Sequence, residues 1–358
     1  MLIIALLKRY MQNLNKKLII FAIFTLIIAG FYIIIASSNN KKPIEEFRNV
    51  ILVGWDGAKR DNVHELLAKG ELPNLKSLTQ QGRLVNIDIT SGKTETKPGW
   101  AEILTGYNSE FLGVISNKVY KPIRQGYSVF ERLEDYFGKN ITTVFITGKD
   151  NNTGARGPHT LCTNCITRDF TTFNKTGWWE EGTNAPTIDG GERIIEKREG
   201  EPYYLTKSAL DVYRSGLGEA KNVGKRALEL LQTYNNRPFF MFIHFEEPDE
   251  PGHRYGETSK EYAQGIITDD YWLGEIIKQL KKLKLYDKTL IYVTADHGFD
   301  EGQRTHRHAP YVFLATNDPK VKKNGTRLDV APTILKRYGF DLQKISPRLD
   351  GKSLLGID

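Results

Sequence analysis

Cysteine is nearly missing from this chain: its 358 residues hold two, Cys162 and Cys165, in the run LCTNC. A single C-x-x-C cannot supply a four-cysteine zinc site. A redox centre would want a thioredoxin-like context, so a local disulfide in an oxidising exterior is the reading for the pair, with His159 as a nearby donor for an accessory metal. Excess charge is also scarce where it would matter. The formal charge is +7, but residues 1–48 carry seven lysines and arginines against two glutamates, which leaves +2 for the other 310 residues. Nucleic-acid binding is not implied. Internal repeats and low-complexity tracts are absent as well.

What is present begins with a bipartite N-terminus. Leu18 to Ala36 is 19 residues without a charge, close to the ~20 that span a bilayer as helix. Lys8, Arg9, Lys16 and Lys17 precede it with no acid among them. The positive-inside rule then predicts a cytoplasmic segment 1–17, a single-pass signal anchor 18–36 and a juxtamembrane tether 37–48. Everything beyond lies outside the cytoplasm, in a periplasm or at the cell surface. The apolar run exceeds the roughly 7–15 residues of a cleaved signal, which favours a retained anchor over cleavage after Ala36 or Ser38. Met11 is an alternative start, since MQNLNKKLII carries its own targeting segment.

From residue 49 onward, apolar runs rich in Val, Ile and Phe recur: Val50–Val53, Leu84–Ile89, Thr142–Ile146, Phe239–Phe245, Leu290–Thr294 and Tyr311–Ala315. Near-continuous runs suit strands buried on both faces. Helical patterns lie between them, at Asp61–Lys69, Pro73–Gln81, Gly99–Leu104, Val129–Phe137, Lys207–Tyr234, Ser259–Leu285 and Leu328–Tyr338. The alternation predicts one α/β domain over 49–358, a mostly parallel central sheet sandwiched between helices. Residues 149–205 break the pattern, rich in Gly, Asn, Thr and Pro, and are read as an inserted cap over the site. Trp178, Trp179 or Tyr203 could stack there on a base or bound alcohol.

Four scattered segments end probable strands with hard-metal or zinc-type ligands: Asp56 in VILVGWDG, Asp249 and His253 in FIHFEEPDEPGH, Asp296 and His297 in IYVTADHG, and His306 with His308 in THRHAP. Ligands of an open α/β sheet bind beyond the carboxyl ends of its strands, where Asp56, Asp249 and Asp296 fall. Pro251-Gly252 predicts a loop that turns Asp249 and His253 toward one point, and the turn at Gly298 can splay Asp296 and His297 together. Such donors from separate elements fit two divalent ions, zinc first and manganese as the alternative. Thr96, in TETKPGWAEILTG, adds a hydroxyl ahead of an apolar helical stretch, with Thr94 as its competitor. A cation can lower the pKa of such a hydroxyl, and a helix starting there with Pro98 in its first turn favours a phosphate anion. His244 in MFIHF reads as a core or supporting histidine, and Glu246 and Glu247 as groups that orient the neighbouring ligands.

With those residues the chain resembles the alkaline phosphatase superfamily, in its nucleotide pyrophosphatase/phosphodiesterase branch, from about Asn49 to Asp358. The resemblance implies a sheet between helical layers and two metals, usually zinc. It assigns Asp249, His253 and His306 to one ion, with His308 still a rival to His306, and Asp56, Asp296, His297 and Thr96 to the other. The TxPxW…LTG context points to Thr96 as the nucleophile, and SNK, similar to the branch's DNK, points to Asn117 as a donor to a phosphoryl oxygen. A neutral amide there suits a monoanionic diester over a dianionic monoester. The implied activity is metal-dependent hydrolysis of a small-molecule, lipid or glycan phosphate ester through a threonyl-phosphate. A phosphonate hydrolase, a phosphomonoesterase or an extracytoplasmic phospho-alcohol transferase are the alternatives.

Overall fold

The computed structural model describes residues 49–163 and 194–356. The anchor and tether, Trp178 and Trp179, and the pairing of Cys162 with Cys165 lie outside the described residues. Among the described residues no helix is long and apolar enough to cross a membrane.

The strands are β1 Asn49–Trp55, β2 Arg83–Asp88, β3 Thr142–Thr147, β4 His159–Thr163, β5 Ile194–Arg198, β6 Val212–Arg214, β7 Phe239–Phe245, β8 Thr289–Thr294, β9 Tyr311–Thr316 and β10 Gly325–Thr326. The helices are α1 Arg60–Lys69, α2 Pro73–Gln81, α3 Thr96–Thr105, α4 Ser109–Leu112, α5 Val129–Phe137, α6 Ala220–Thr233, α7 Asp249–Tyr255, α8 Lys260–Lys282 and α9 Val330–Arg337. Eight strands form one sheet in the order β10-β2-β9-β8-β1-β7-β3-β6. All are parallel except β9, which runs against both of its neighbours. The sheet is therefore mixed, with one reversed strand.

Every residue of β1, β3, β7 and β8 is buried, as their unbroken apolar runs predict for strands covered on both faces. On one face Phe240, Phe242 and His244 meet Phe130 of α5 and Trp100 of α3. Helices α3, α5 and α9 pack together, and α8 packs against α6, α2 and α1. Local signals start several helices: Pro73 at the first position of α2, a Ser128–Glu131 capping box on α5 and Ser259 capping α8.

Three expectations are corrected. The stretch read as one helix over 207–234 is a short helical turn, then β6 on the sheet edge beside β3, with α6 starting only at Ala220; pairing with β3 overrides the local helical pattern there. Residues 149–205, read as lacking regular elements, contain the antiparallel pair β4–β5. Tyr203 is fully buried against Phe145, ring centroids 5.0 Å apart, and so is core rather than a stacking surface.

Trp100 closes tightly over β1. A Cβ at Gly54 would lie 2.4 Å from Trp100 Cη2, so the indole can cover the strand just before Asp56 only above a glycine. Gly54→Ala is expected to destabilise the fold by about 1–3 kcal/mol through overpacking, read from the midpoint of urea unfolding.

Candidate functional site

The strand ends converge. Asp56 follows β1, Asp296 and His297 follow β8 where the chain bends, and Asp249 opens α7 after β7. Because β9 is reversed, its amino end lies beside the carboxyl end of β2, Asp88 opposite Tyr311. The loop entering β9 therefore brings His306 to the same edge, and the segment leaving β2 brings Thr96 there at the start of α3.

The Asp249–His253 segment is a correction. It is helical, α7, rather than a loop. Pro251 is its third residue, where a missing N–H costs nothing because first-turn donors have no intrahelical partner. Residues four apart on a helix share a face, and His253 Nε2 lies 3.3 Å from Asp249 Oδ1.

Two groups of donors result. Asp249, His253 and His306 form one, with the two imidazole Nε2 atoms 3.2 Å apart. In the other, His297 Nε2 is 3.3 Å from Thr96 Oγ1, 3.5 Å from Asp56 Oδ1 and 3.5 Å from Asp296 Oδ2. Asp249 borders both, its Oδ1 3.9 Å from His297 Nε2. Each histidine gives its Nδ1–H to a backbone carbonyl: His253 to Arg304 at 2.8 Å, His297 to Gly298 at 3.0 Å and His306 to Thr94 at 2.5 Å. That fixes the tautomer and turns three Nε2 lone pairs inward. His308 is exposed, and its backbone N–H reaches Asp300 Oδ1. His306 is thus the histidine brought into the group.

Do these residues fit metal ions? Asp56 Oδ1, Asp249 Oδ1 and Asp296 Oδ2 are buried without a hydrogen-bond partner. Orphaned carboxylate oxygens beside inward imidazole lone pairs form a cation's donor set. The metal family in the sequence reading fits these residues; His159, by contrast, joins no such group among the described residues.

The charges agree. Burial is the largest influence on Asp249 and raises it, but the Lys149 ammonium together with His253 and His297 overcomes it and holds the group well below the usual carboxylate range. At Asp56 burial is likewise overcome, chiefly by Lys149, and the group is lowered. Asp296, buried and facing the charge on Asp56, is pushed far up. Burial lowers His297, and burial with His297 alongside brings His306 down to about 4. His253 is raised by the Asp249 carboxylate beside it.

Around this lie groups the sequence reading missed or left unassigned. Lys149 Nζ is 2.9 Å from Asp56 Oδ2 and 2.5 Å from Asp249 Oδ2. It follows β3 as Asp56 follows β1, so the strand-end rule alone could have nominated it. His244 Nε2 lies 2.8 Å from Asp56 Oδ2, a supporting histidine as read. Asp300 accepts from Thr305 and from the backbone N–H groups of Arg307 and His308, shaping the loop that carries His306. Glu247 instead accepts from Ala220 N–H, holding the start of α6 rather than a ligand.

Asn117 accepts the Lys97 N–H at Oδ1, 2.9 Å, while its own N–H donates to Glu95 Oε2, 2.6 Å. What its side chain has left to offer is the Nδ2 donors. It lines, with Thr94, Glu95, His253, His306 and Arg307, a cleft of about 510 Å³ at the site.

Buried Arg327 braces the arrangement. It donates to Glu102 of α3, to the Asp296 carbonyl and to the Lys93 carbonyl. Gly99 permits the approach, since a Cβ there would lie 2.7 Å from Asp296 Cβ.

The α/β fold thus brings two overlapping groups of acidic and imidazole donors together beside the Thr96 hydroxyl. The chain belongs to the type I phosphodiesterase / nucleotide pyrophosphatase family, whose model matches residues 50–345. It is 23% identical over 289 residues to bis(5'-adenosyl)-triphosphatase ENPP4 of Homo sapiens, covering 80% of this chain and 53% of that protein. It is 31% identical over 314 residues to human ectonucleotide pyrophosphatase/phosphodiesterase family member 1, covering 84% of this chain and 29% of that one. The chain thus spans about half the length, or less, of these curated relatives. Among solved structures it shares the fold of a phosphonate monoester hydrolase from Silicibacter pomeroyi, TM-score 0.54 at 16% identity, covering 86% of this chain and 75% of that one. It also shares that of a protein solved with its substrate D-glucosamine-2-N,6-O-disulfate, TM-score 0.55 at 14% identity, covering 87% and 80%.

Replacing Arg327 with Met would strand the Glu102 carboxylate in the interior. A loss of about 3–5 kcal/mol is expected, as for a broken buried pair, measured by chemical denaturation.

Proposed function

We propose that the chain is a metal-dependent phosphodiesterase, hydrolysing a phosphate diester or pyrophosphate bond with Thr96 as nucleophile. The observation that carries this is the convergence of Asp56, Asp249, Asp296, His253, His297 and His306 around the Thr96 hydroxyl. Family membership supports the same reading. Asp249, His253 and His306 would hold one divalent ion, and Asp56, Asp296, His297 and the Thr96 oxygen the other, zinc by donor type with manganese as the alternative. Bound there, such ions supply charge that acidifies a hydroxyl or water and balances the phosphoryl oxygens.

The chain's own residues do the rest. Thr96, the first residue of α3, presents its oxygen at a helix N-terminus, where an anionic phosphate is favoured. Its oxygen, giving up the hydroxyl proton, attacks phosphorus in line; the bond to the leaving alcohol breaks and the leaving oxygen takes up a proton. The resulting threonyl-phosphate keeps the other ester group, and water then cleaves it to the monoester and restores the hydroxyl. Asn117, anchored by Glu95 and Lys97, donates through Nδ2 to a non-bridging oxygen, an uncharged partner suited to a monoanionic diester. The reading of residues 149–205 as a cap over the cleft rests on the sequence, residues 164–193 lying outside the described residues. Residues 18–36 would anchor the domain outside the cytoplasm, a reading that rests on the sequence alone.

A panel of diester, monoester and phosphonate esters of p-nitrophenol, with bis(5'-adenosyl) triphosphate, tests the class. Diester or pyrophosphate cleavage is expected to lead. Fastest turnover of a phosphonate or monoester would shift the assignment, and slow hydrolysis accelerated by an added alcohol would mark a transferase. Thr96→Ala should lower diester turnover by several orders of magnitude, toward the about 10⁶-fold loss seen when a nucleophile is removed; undiminished cleavage would overturn the mechanism. His306→Ala should cost one of two bound ions after dialysis, measured by elemental analysis, and His308→Ala neither.

A further inference from the structure

Asp249 borders both donor groups and Asp56 belongs to one, and in each of the two carboxylates the Oδ2 atom is already taken by the protein. Lys149 Nζ lies 2.9 Å from Asp56 Oδ2 and 2.5 Å from Asp249 Oδ2. His244 Nε2 shares Asp56 Oδ2 at 2.8 Å, and His244 Nδ1 is 2.9 Å from Thr147 Oγ1. The opposite oxygens, Asp56 Oδ1 and Asp249 Oδ1, are buried without a hydrogen-bond partner and face the imidazoles of His297 and His253.

The backbone that carries Lys149 is held in place. The Lys149 carbonyl accepts from Thr153 Oγ1 at 2.7 Å, and Gly148 N–H donates to the His244 carbonyl at 3.0 Å. Its side chain is 15% exposed. A lysine stem is flexible and its ammonium strongly hydrated, so a buried seat spanning two carboxylates is not a default position.

We infer that Lys149 is a positioning residue: an internal cation that clamps the Oδ2 atoms of Asp56 and Asp249 and so aims both Oδ1 atoms at the ion positions. Of the three buried carboxylates here, Asp56, Asp249 and Asp296, Lys149 pairs with the first two. Without ions, Lys149 is what keeps two of them compensated. With ions bound, the cations themselves supply that charge, and the lysine's contribution to stability shrinks. Dependence on Lys149 is therefore greatest in the ion-free protein. This rests on the two-ion reading above.

The test compares Tm for zinc-loaded and chelator-treated protein in wild type, Lys149→Met and Lys149→Arg, alongside the zinc content of each. Lys149→Met should lose roughly 5–10 °C without ions, as expected when one partner of a buried ion pair is removed from a domain of this size. It should lose much less with zinc, so the gap between the two states widens. Lys149→Arg, which keeps the charge, should restore most of the ion-free value. Accumulation of folded Lys149→Met only when zinc is supplied during expression would be the same result in stronger form. Equal losses in both states would reduce Lys149 to ordinary packing, and no loss in either would remove it from the carboxylates; both overturn the inference. Wild type that binds no stoichiometric zinc would instead overturn the two-ion reading itself.

Discussion

Carboxylates out of reach of water dominate this molecule. Asp56 and Asp296 are fully buried and Asp249 is 5% exposed, and a buried charge is tolerated only when paired or bound to a cation. Lys149 compensates Asp56 and Asp249, while Asp296 takes only the Gly57 N–H at one oxygen. Three carboxylate oxygens remain without partners, and three histidines, each locked through Nδ1, point their Nε2 atoms among them. The deficit of positive charge is the reason the arrangement reads as a cation centre rather than as a structural ion-pair network.

The scaffold makes this deficit possible. The four central strands β8, β1, β7 and β3 run parallel, so their carboxyl ends deliver Asp296, Asp56, Asp249 and Lys149 to one edge. A uniformly parallel sheet would send the segment entering β9 to the opposite edge. The reversal of β9 brings His306 to the same side. Behind the edge, Trp100 fills the space over Gly54, and Arg327 ties α3 to the Asp296 backbone. Rigid packing of this kind keeps the donors converged when charge repulsion would spread them.

Much of this was legible in the sequence because it is local. Unbroken apolar runs such as FFMFIHF mark strands covered on both faces, and β7 occupies the run as read. Asp56 and Asp296 follow such runs directly. What escaped was tertiary. DEPGH looks helix-breaking, yet Pro251 falls in a first turn that tolerates it. Val212–Arg214 reads as helix until β3 offers it an edge. The choice between His306 and His308 depends on which faces Thr94 and His253, a contact across more than 50 residues in sequence. Lys149 carries no motif, and only its place at a strand end beside two distant aspartates gives it a role.

The central claim is that two cations occupy these two donor groups. Crystals of the zinc-loaded protein, measured with diffraction data across the zinc absorption edge, address it directly. Two anomalous peaks are expected, one bounded by Asp249, His253 and His306, the other by Asp56, Asp296, His297 and the Thr96 oxygen. A single peak, or peaks seated away from these residues, would contradict the account.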